Sequence, residues 1–181
     1  MTSRTLVVVG VESTGKTTLA KALARTLGWA RVEEQARAWL AARGNRYEEA
    51  DLVAIARCQW EAEAATRARA GDLVADTDLT VIRVWSEVRY GRCDDRILER
   101  LAERPPAHYL LPCPDLPWAP DPQRESPDPA EREALHERYR QLLEELGHPW
   151  AEVAGQDEAR LASALDAVAG FGLIDEPPIR G

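Results

Sequence analysis

The run Gly10-Val11-Glu12-Ser13-Thr14-Gly15-Lys16-Thr17 leaves this chain few folds to choose from. It fits the pattern Gly-x4-Gly-Lys-Ser/Thr without a mismatch, and it follows Thr5-Leu6-Val7-Val8-Val9, a β-branched run that reads as a buried parallel strand. Downstream, Leu19, Leu23 and Leu27 fall four apart and mark one face of a helix over Thr17–Leu27, stopped by Gly28. Glycines let the backbone wrap a phosphate closely, and the N–H groups at the helix start complete an anion cradle. Lys16 is expected to reach the β- and γ-phosphates of a nucleoside triphosphate, and the Thr17 hydroxyl to ligate Mg²⁺. Gly10, Glu12, Ser13, Thr14, Gly15, Lys16, Thr17 and Thr18 are therefore the candidate nucleotide-binding residues. Of the 23 basic residues only Lys16 and Lys21 are lysines. A chain that uses arginine almost everywhere keeps a compact ammonium at Lys16, where the cradle needs one.

Composition sets the outer bounds. At 181 residues, 45% hydrophobic and 30% charged, the chain reads as one globular domain over residues 1–171, with a loose tail over 172–181. A net charge of −8 argues against sequence-independent binding of nucleic acid or an anionic membrane. No apolar run reaches membrane-span length, and the short apolar stretch near the N-terminus does not read as a secretory leader. Cys58, Cys93 and Cys113 are odd in number and widely spaced, which suggests neither a disulfide framework nor a CxxC zinc site. A reduced, cytoplasmic setting is the expectation. Oligomeric state is not legible.

Further along, Ala30–Glu33 reads as a second strand, and a helical stretch carrying Trp39 and Leu40 breaks at Gly44-Asn45 and resumes with Leu52, Ile55, Ala56 and Trp60. Leu73–Ala75 is a third strand, and Leu79, Ile82 and Trp85 lie on the helix after it. His108–Leu111 is a fourth. From Pro105 to Pro129 the chain holds nine of its 12 prolines, so residues 114–130 read as an irregular lid segment. Asp128-Pro129-Ala130-Glu131 starts a helix faced by Leu135, Tyr139, Leu142 and Leu143 and ended by Gly147. Trp150–Ala154 is a fifth strand, and Leu161, Leu165 and Val168 line a last helix. This alternation implies an α/β fold: three layers, with a mainly parallel five-stranded sheet flanked by helices.

Ligands of open α/β sheets bind beyond the carboxyl ends of the strands. Asp76, ending an apolar strand, suits a Mg²⁺-holding carboxylate, and Glu34 or Asp78 could accept the proton of an attacking hydroxyl. The lid segment supplies Asp121 and Arg124, the latter a candidate cation for the developing charge. Trp85 and Trp118 could stack on a flat ligand.

With these pieces in order, the chain resembles the ribosylnicotinamide kinase domain of the NadR family from Val9 to about Val168. The resemblance rests on Gly10–Thr18, Glu34-Gln35-Ala36-Arg37, Ile55-Ala56-Arg57-Cys58-Gln59, Asp76-Thr77-Asp78, Asp115-Leu116-Pro117-Trp118 with Asp121 and Arg124, and Gly155 to Arg160. It implies a P-loop kinase fold and transfer of the ATP γ-phosphate to the 5′-hydroxyl of nicotinamide riboside, with Mg²⁺ as cofactor. It further implies Lys16, Glu34, Asp76 and Arg124 in catalysis, and Thr17 with Asp76 at the metal. Glu34, Arg37, Asp78, Trp85, Trp118 and Asp121 fall on the nucleoside side, in an acidic pocket suited to a cationic pyridinium. The sequence departs from the family in lacking a His-x-Gly-His nucleotidyl motif and in carrying Pro122-Gln123 where the lid is expected to hold a glycine. Other readings are a kinase of another nucleoside or small hydroxyl compound, and a nucleotide-binding ATPase or regulatory module.

Overall fold

A computed structural model describes residues 3–123 and 128–175. The apolar run Thr5–Val8 forms strand β1, every residue of it buried. Both neighbours pair with it in parallel: β3 (Leu73–Asp76), with Val8 opposite Asp76, and β4 (His108–Pro112), with Val8 opposite Leu110. β2 (Ala30–Val32) and β5 (Trp150–Val153) close the two edges, giving the order β2-β3-β1-β4-β5. All five strands run the same way, so their carboxyl ends share one edge of the sheet.

Strand alternation divides the core. Leu6, Val8, Val74, Leu110 and Val153 face α1 (Lys16–Leu27) and α7 (Asp157–Gly170) through Leu19, Leu23, Ala164 and Val168. Val7, Ala75, Tyr109 and Leu111 face the other way, toward Val84 of α4 (Leu79–Tyr90) and Tyr139, Leu142 and Leu143 of α6 (Pro129–Leu146). A third cluster joins α3 (Glu49–Ala70), α4 and α5 (Asp95–Ala102) through Leu52, Ile55, Ile82, Ile97 and Leu101. The short α2 (Gln35–Ala41) carries the chain from β2 toward α3. Three layers follow, as the alternation of strands and helices implies.

Five local expectations change. β3 extends to Asp76, and β2 stops at Val32, which leaves Glu33 and Glu34 outside the ladder. β4 takes in Pro112, tolerated because β1 pairing ends at Leu110 and no ladder bond to β1 needs that missing N–H. α5 was not expected: only Ile97 and Leu101 bury in its eight residues, and Asp94 caps it by accepting from the Arg96 N–H. Residues 172–175, expected to be loose, are packed instead. Leu173 is buried, and its carbonyl accepts from Arg4 Nη1 at 2.7 Å. Among the described residues no helix is long and apolar enough to cross a membrane.

Candidate active site

The loop between β1 and α1 is shaped by two glycines. Gly10 sits at φ 131°, where an added Cβ would lie 2.9 Å from Leu111 Cδ1. Gly15 adopts the left-handed conformation at φ 75° and precedes α1, whose first turn has no side-chain cap. Its N–H groups are thus left for an anion to satisfy. Inside the loop, buried Thr14 donates its hydroxyl to the Val11 carbonyl at 2.7 Å, and Lys16 Nζ donates to the same carbonyl at 2.7 Å. Burial pulls the Lys16 ammonium below its ordinary range, against the opposing pull of Glu34, Asp76 and Glu12.

Asp76 lies across from this loop at the end of β3, 1% exposed. Burial raises its pKa, while a hydrogen bond from the Thr17 hydroxyl and the nearby Lys16 charge oppose the rise. Its Oδ1 is buried without a hydrogen-bond partner. An orphaned carboxylate oxygen beside a threonine hydroxyl is a hard oxygen donor set of the kind Mg²⁺ takes, so Thr17 and Asp76 fit that ion. The next residue, Thr77, is β-branched yet sits at φ 66°, a strain of about 1–3 kcal/mol. It is held by two bonds: its N–H donates to Val8 O at 3.0 Å and its carbonyl accepts from Gln59 Nε2 at 3.2 Å.

Gln59 also accepts the Gln35 N–H at 3.0 Å, so one buried amide ties the start of α2 to the end of β3. Glu34 stands just before Gln35, and Arg37 Nε lies 3.4 Å from Glu34 Oε2. Both belong to a cleft of about 310 Å³ that also takes in Lys16, Thr17 and Thr18. Beyond Glu34 the cleft is lined by Leu40, Asn45, Tyr47, Val81, Trp85, Val88, Arg89 and Tyr139. Trp85 Nε1 donates to Tyr47 Oη at 2.8 Å with the rings edge to face, and Arg89 lies 5.1 Å from the Tyr47 ring centre. A strap over residues 118–123 crosses this region. The Trp118 indole donates to Glu12 Oε1 at 3.0 Å, and the Ala119 N–H to Ser13 Oγ at 3.1 Å. Asp121 pairs with Arg37 at 3.2 Å, and Gln123 Nε2 donates to Asn45 Oδ1 at 2.8 Å.

Residues 5–160 match a family model described as an AAA domain, AAA_28. The chain belongs to this AAA-domain family. Its fold is similar to that of the NadR protein solved in complex with NAD and AMP-PNP, with a TM-score of 0.73 and 23% identity over 99% of this chain and 51% of that one. The NadR protein in complex with NR gives 0.71 and 22%, over 98% and 53%. Thymidylate kinase from Ehrlichia chaffeensis gives 0.68 and 11%, over 94% of this chain and 100% of its own. The shared feature is the three-layer P-loop kinase fold. The AAA domain described here spans about half the length of the NadR chains. None of the curated proteins compared with it matches.

Within this AAA domain, Lys16, Thr17, Glu34, Arg37 and Trp85 meet in one cleft, with Glu12 and Ser13 on its rim. Asp78 does not join them. It is fully buried as the cap of α4, accepting from the Thr80 N–H at 2.9 Å, from Tyr109 Oη at 2.9 Å and from the guanidinium of Arg104. A carboxylate so enclosed neither meets a substrate nor takes its proton. Trp118 does not line the cleft; its indole is committed to Glu12. Both signs of charge line the cleft: Glu12 and Glu34 stand with Lys16, Arg37 and Arg89, and Asp121 pairs with Arg37. Arg124 lies outside the described residues. Sequence reasoning missed Tyr47, Arg89 and Tyr139. Val81, Trp85, Val88 and Arg89 recur at helical spacing on the cleft face of α4, a pattern that could have flagged the last of them. It also assigned no role to Arg160, which is 4% exposed and donates to the carbonyls of Thr14, Gly155 and Cys113 while pairing with Asp115.

Proposed function

We propose that this domain is an ATP-dependent phosphotransferase that moves the γ-phosphate to the 5′-hydroxyl of nicotinamide riboside, giving nicotinamide mononucleotide for NAD formation. The observation that carries the reading is the single cleft in which Lys16 and Thr17 of the phosphate loop, Glu34 and the Trp85–Tyr47 aromatic pair all lie. A phosphate donor held at one end and a flat nucleoside at the other would bring the acceptor hydroxyl toward Glu34. The likeness in fold to a NadR protein solved with NR supports the choice of acceptor.

In this reading Glu34 accepts the proton of the attacking hydroxyl, and Arg37 holds the Glu34 carboxylate in place. Lys16 and the open N-terminus of α1 meet charge that builds on the phosphoryl oxygens. Thr17 and Asp76 would hold Mg²⁺, which when bound neutralises the β- and γ-phosphates. Residues 118–123, bonded to both the phosphate loop and α2, would keep water from the transferring group.

One observation favours a second acceptor class. Arg89 stands beside the aromatic pair, and a cation there suits a nucleoside with a neutral base better than a pyridinium. ADP release from ATP and Mg²⁺ separates the readings, measured with nicotinamide riboside, with a panel of nucleosides, and with no acceptor, and with product masses determined. A phosphorylated nicotinamide riboside supports the first. Phosphorylation of the neutral nucleosides alone replaces it with the second. Equal ADP release without any acceptor overturns both and makes the domain an ATPase module.

A further inference from the structure

Away from the cleft, three side chains of different chemistry converge at the edge of the sheet. Cys113 follows β4, and its N–H donates to Val153 O at 2.9 Å, which continues the β4–β5 pairing. Glu152 sits in β5 opposite Leu111, so strand alternation brings Cys113 and Glu152 to the same face of the sheet as Tyr109 and Leu111. His136 comes down on that face from α6. A thiol sulfur, an imidazole nitrogen and a carboxylate oxygen from these residues all lie within 4.8 Å of one another.

Two further observations fit a ligand here. His136 is 5% exposed, with Nε2 2.9 Å from Glu152 Oε1, yet its Nδ1 is buried without a hydrogen-bond partner. Three carboxylates act on the sulfur, those of Glu152, Asp115 and Glu133, against the one opposing cation Arg160. A divalent cation held between the three groups would take an imidazole lone pair and displace the thiol proton.

We propose that Cys113, His136 and Glu152 form a second metal site, selective for a zinc-like ion. Thiolate plus imidazole selects zinc over magnesium, whereas the oxygen pair Thr17 and Asp76 has the opposite preference. Tetrahedral zinc bonds of about 2.0–2.3 Å put ligand atoms roughly 3.5 Å apart, so the three groups need only small rotations to close on an ion. Water supplies the fourth ligand from the open side, where the Glu152 side chain is 43% exposed. Arg140, whose Nε lies 3.5 Å from Glu152, gives up that contact when the ion enters. The site also bears on the phosphate loop. Arg160 donates to the Cys113 carbonyl at 3.4 Å and to the Thr14 carbonyl, so an ion that draws in Cys113 acts on the loop through one guanidinium.

Cobalt titration of the full chain under excess Mg²⁺ tests this. Expected are one equivalent of Co²⁺ bound, a thiolate-to-cobalt charge-transfer absorption with tetrahedral d–d bands, and displacement of both by Zn²⁺. Cys113→Ser should abolish the charge-transfer band, and His136→Asn and Glu152→Gln should each weaken Co²⁺ binding by more than about tenfold. Circular dichroism and nucleotide binding check that each variant is folded. No charge-transfer absorption in the parent chain overturns the proposal. So does an absorption that survives in folded Cys113→Ser, which would move the sulfur ligand to Cys58 or Cys93.

Discussion

Arg160, on the first turn of α7, donates to the carbonyl of Thr14 in the phosphate loop, 146 residues away in sequence. The same guanidinium pairs with Asp115 beyond β4 and accepts no solvent role, being 4% exposed. It therefore joins three connections at the carboxyl edge of the sheet into one rigid frame. Arg160→Ala should orphan those carbonyls at a cost of about 1–3 kcal/mol each. Expected are a lower melting temperature and an ATP dissociation constant raised about tenfold, read by thermal unfolding and nucleotide titration. A variant with unchanged ATP affinity would reduce Arg160 to a purely structural role.

Lys16 and Glu34 share a cleft but should fail differently. Lys16→Ala is expected to lower turnover by a hundredfold or more, roughly the scale of losing one preorganised charge at the transition state. Glu34→Gln should retain ATP affinity while kcat falls by about 10²–10⁴, the usual contribution of a general base. Steady-state kinetics with parallel ATP titrations check both. Full activity in Glu34→Gln would remove it as the base.

Asp78→Asn should read as a stability mutation. Removing one partner of a buried ion pair costs about 3–5 kcal/mol, and Arg104 would keep only Glu63, at 3.1 Å. Denaturant unfolding should show the loss, with kcat per folded molecule little changed.

Much of this was legible in the sequence where the signal is local. The strand–loop–helix of residues 5–27, the Asp128-Pro129 helix start and the apolar end of β3 each depend on neighbours a few residues apart. Asp78 was misplaced for the opposite reason. Its partners Arg104 and Tyr109 lie 26 and 31 residues on, and nothing in Asp76-Thr77-Asp78 distinguishes a carboxylate facing a ligand from one capping a helix inward. Trp118 and Arg160 escaped likewise, because Glu12 and Thr14 are more than a hundred residues away. α5 was passed over although its signal is local: Ile97, Leu98 and Leu101 share one face behind the Asp94 cap, and the charged residues take the other.

The same buried network gives a pH prediction. Burial pushes Glu63 up to about 7, with Asp78 adding to the rise and Arg104 opposing it. The folded state thus holds a proton that the unfolded chain releases near its ordinary value of 4.5. This contribution to stability is fully present below that value, declines as pH rises through about 7, and is absent above. Denaturant midpoints across this range should fall more steeply in the parent chain than in Glu63→Gln. Parallel slopes for the two proteins would assign the proton elsewhere.

β1 lies in the middle of the sheet, with a paired strand on either side, and the phosphate loop grows directly from its end. Amide hydrogens of β1 are expected to exchange with solvent only when the whole domain opens, and those of residues 118–123, which hang on a few side-chain bonds, far sooner. The two walls of the cleft are thus held by different means: the phosphate loop by the ladder of a central strand, and the strap over it by side-chain bonds to Glu12, Ser13, Arg37 and Asn45.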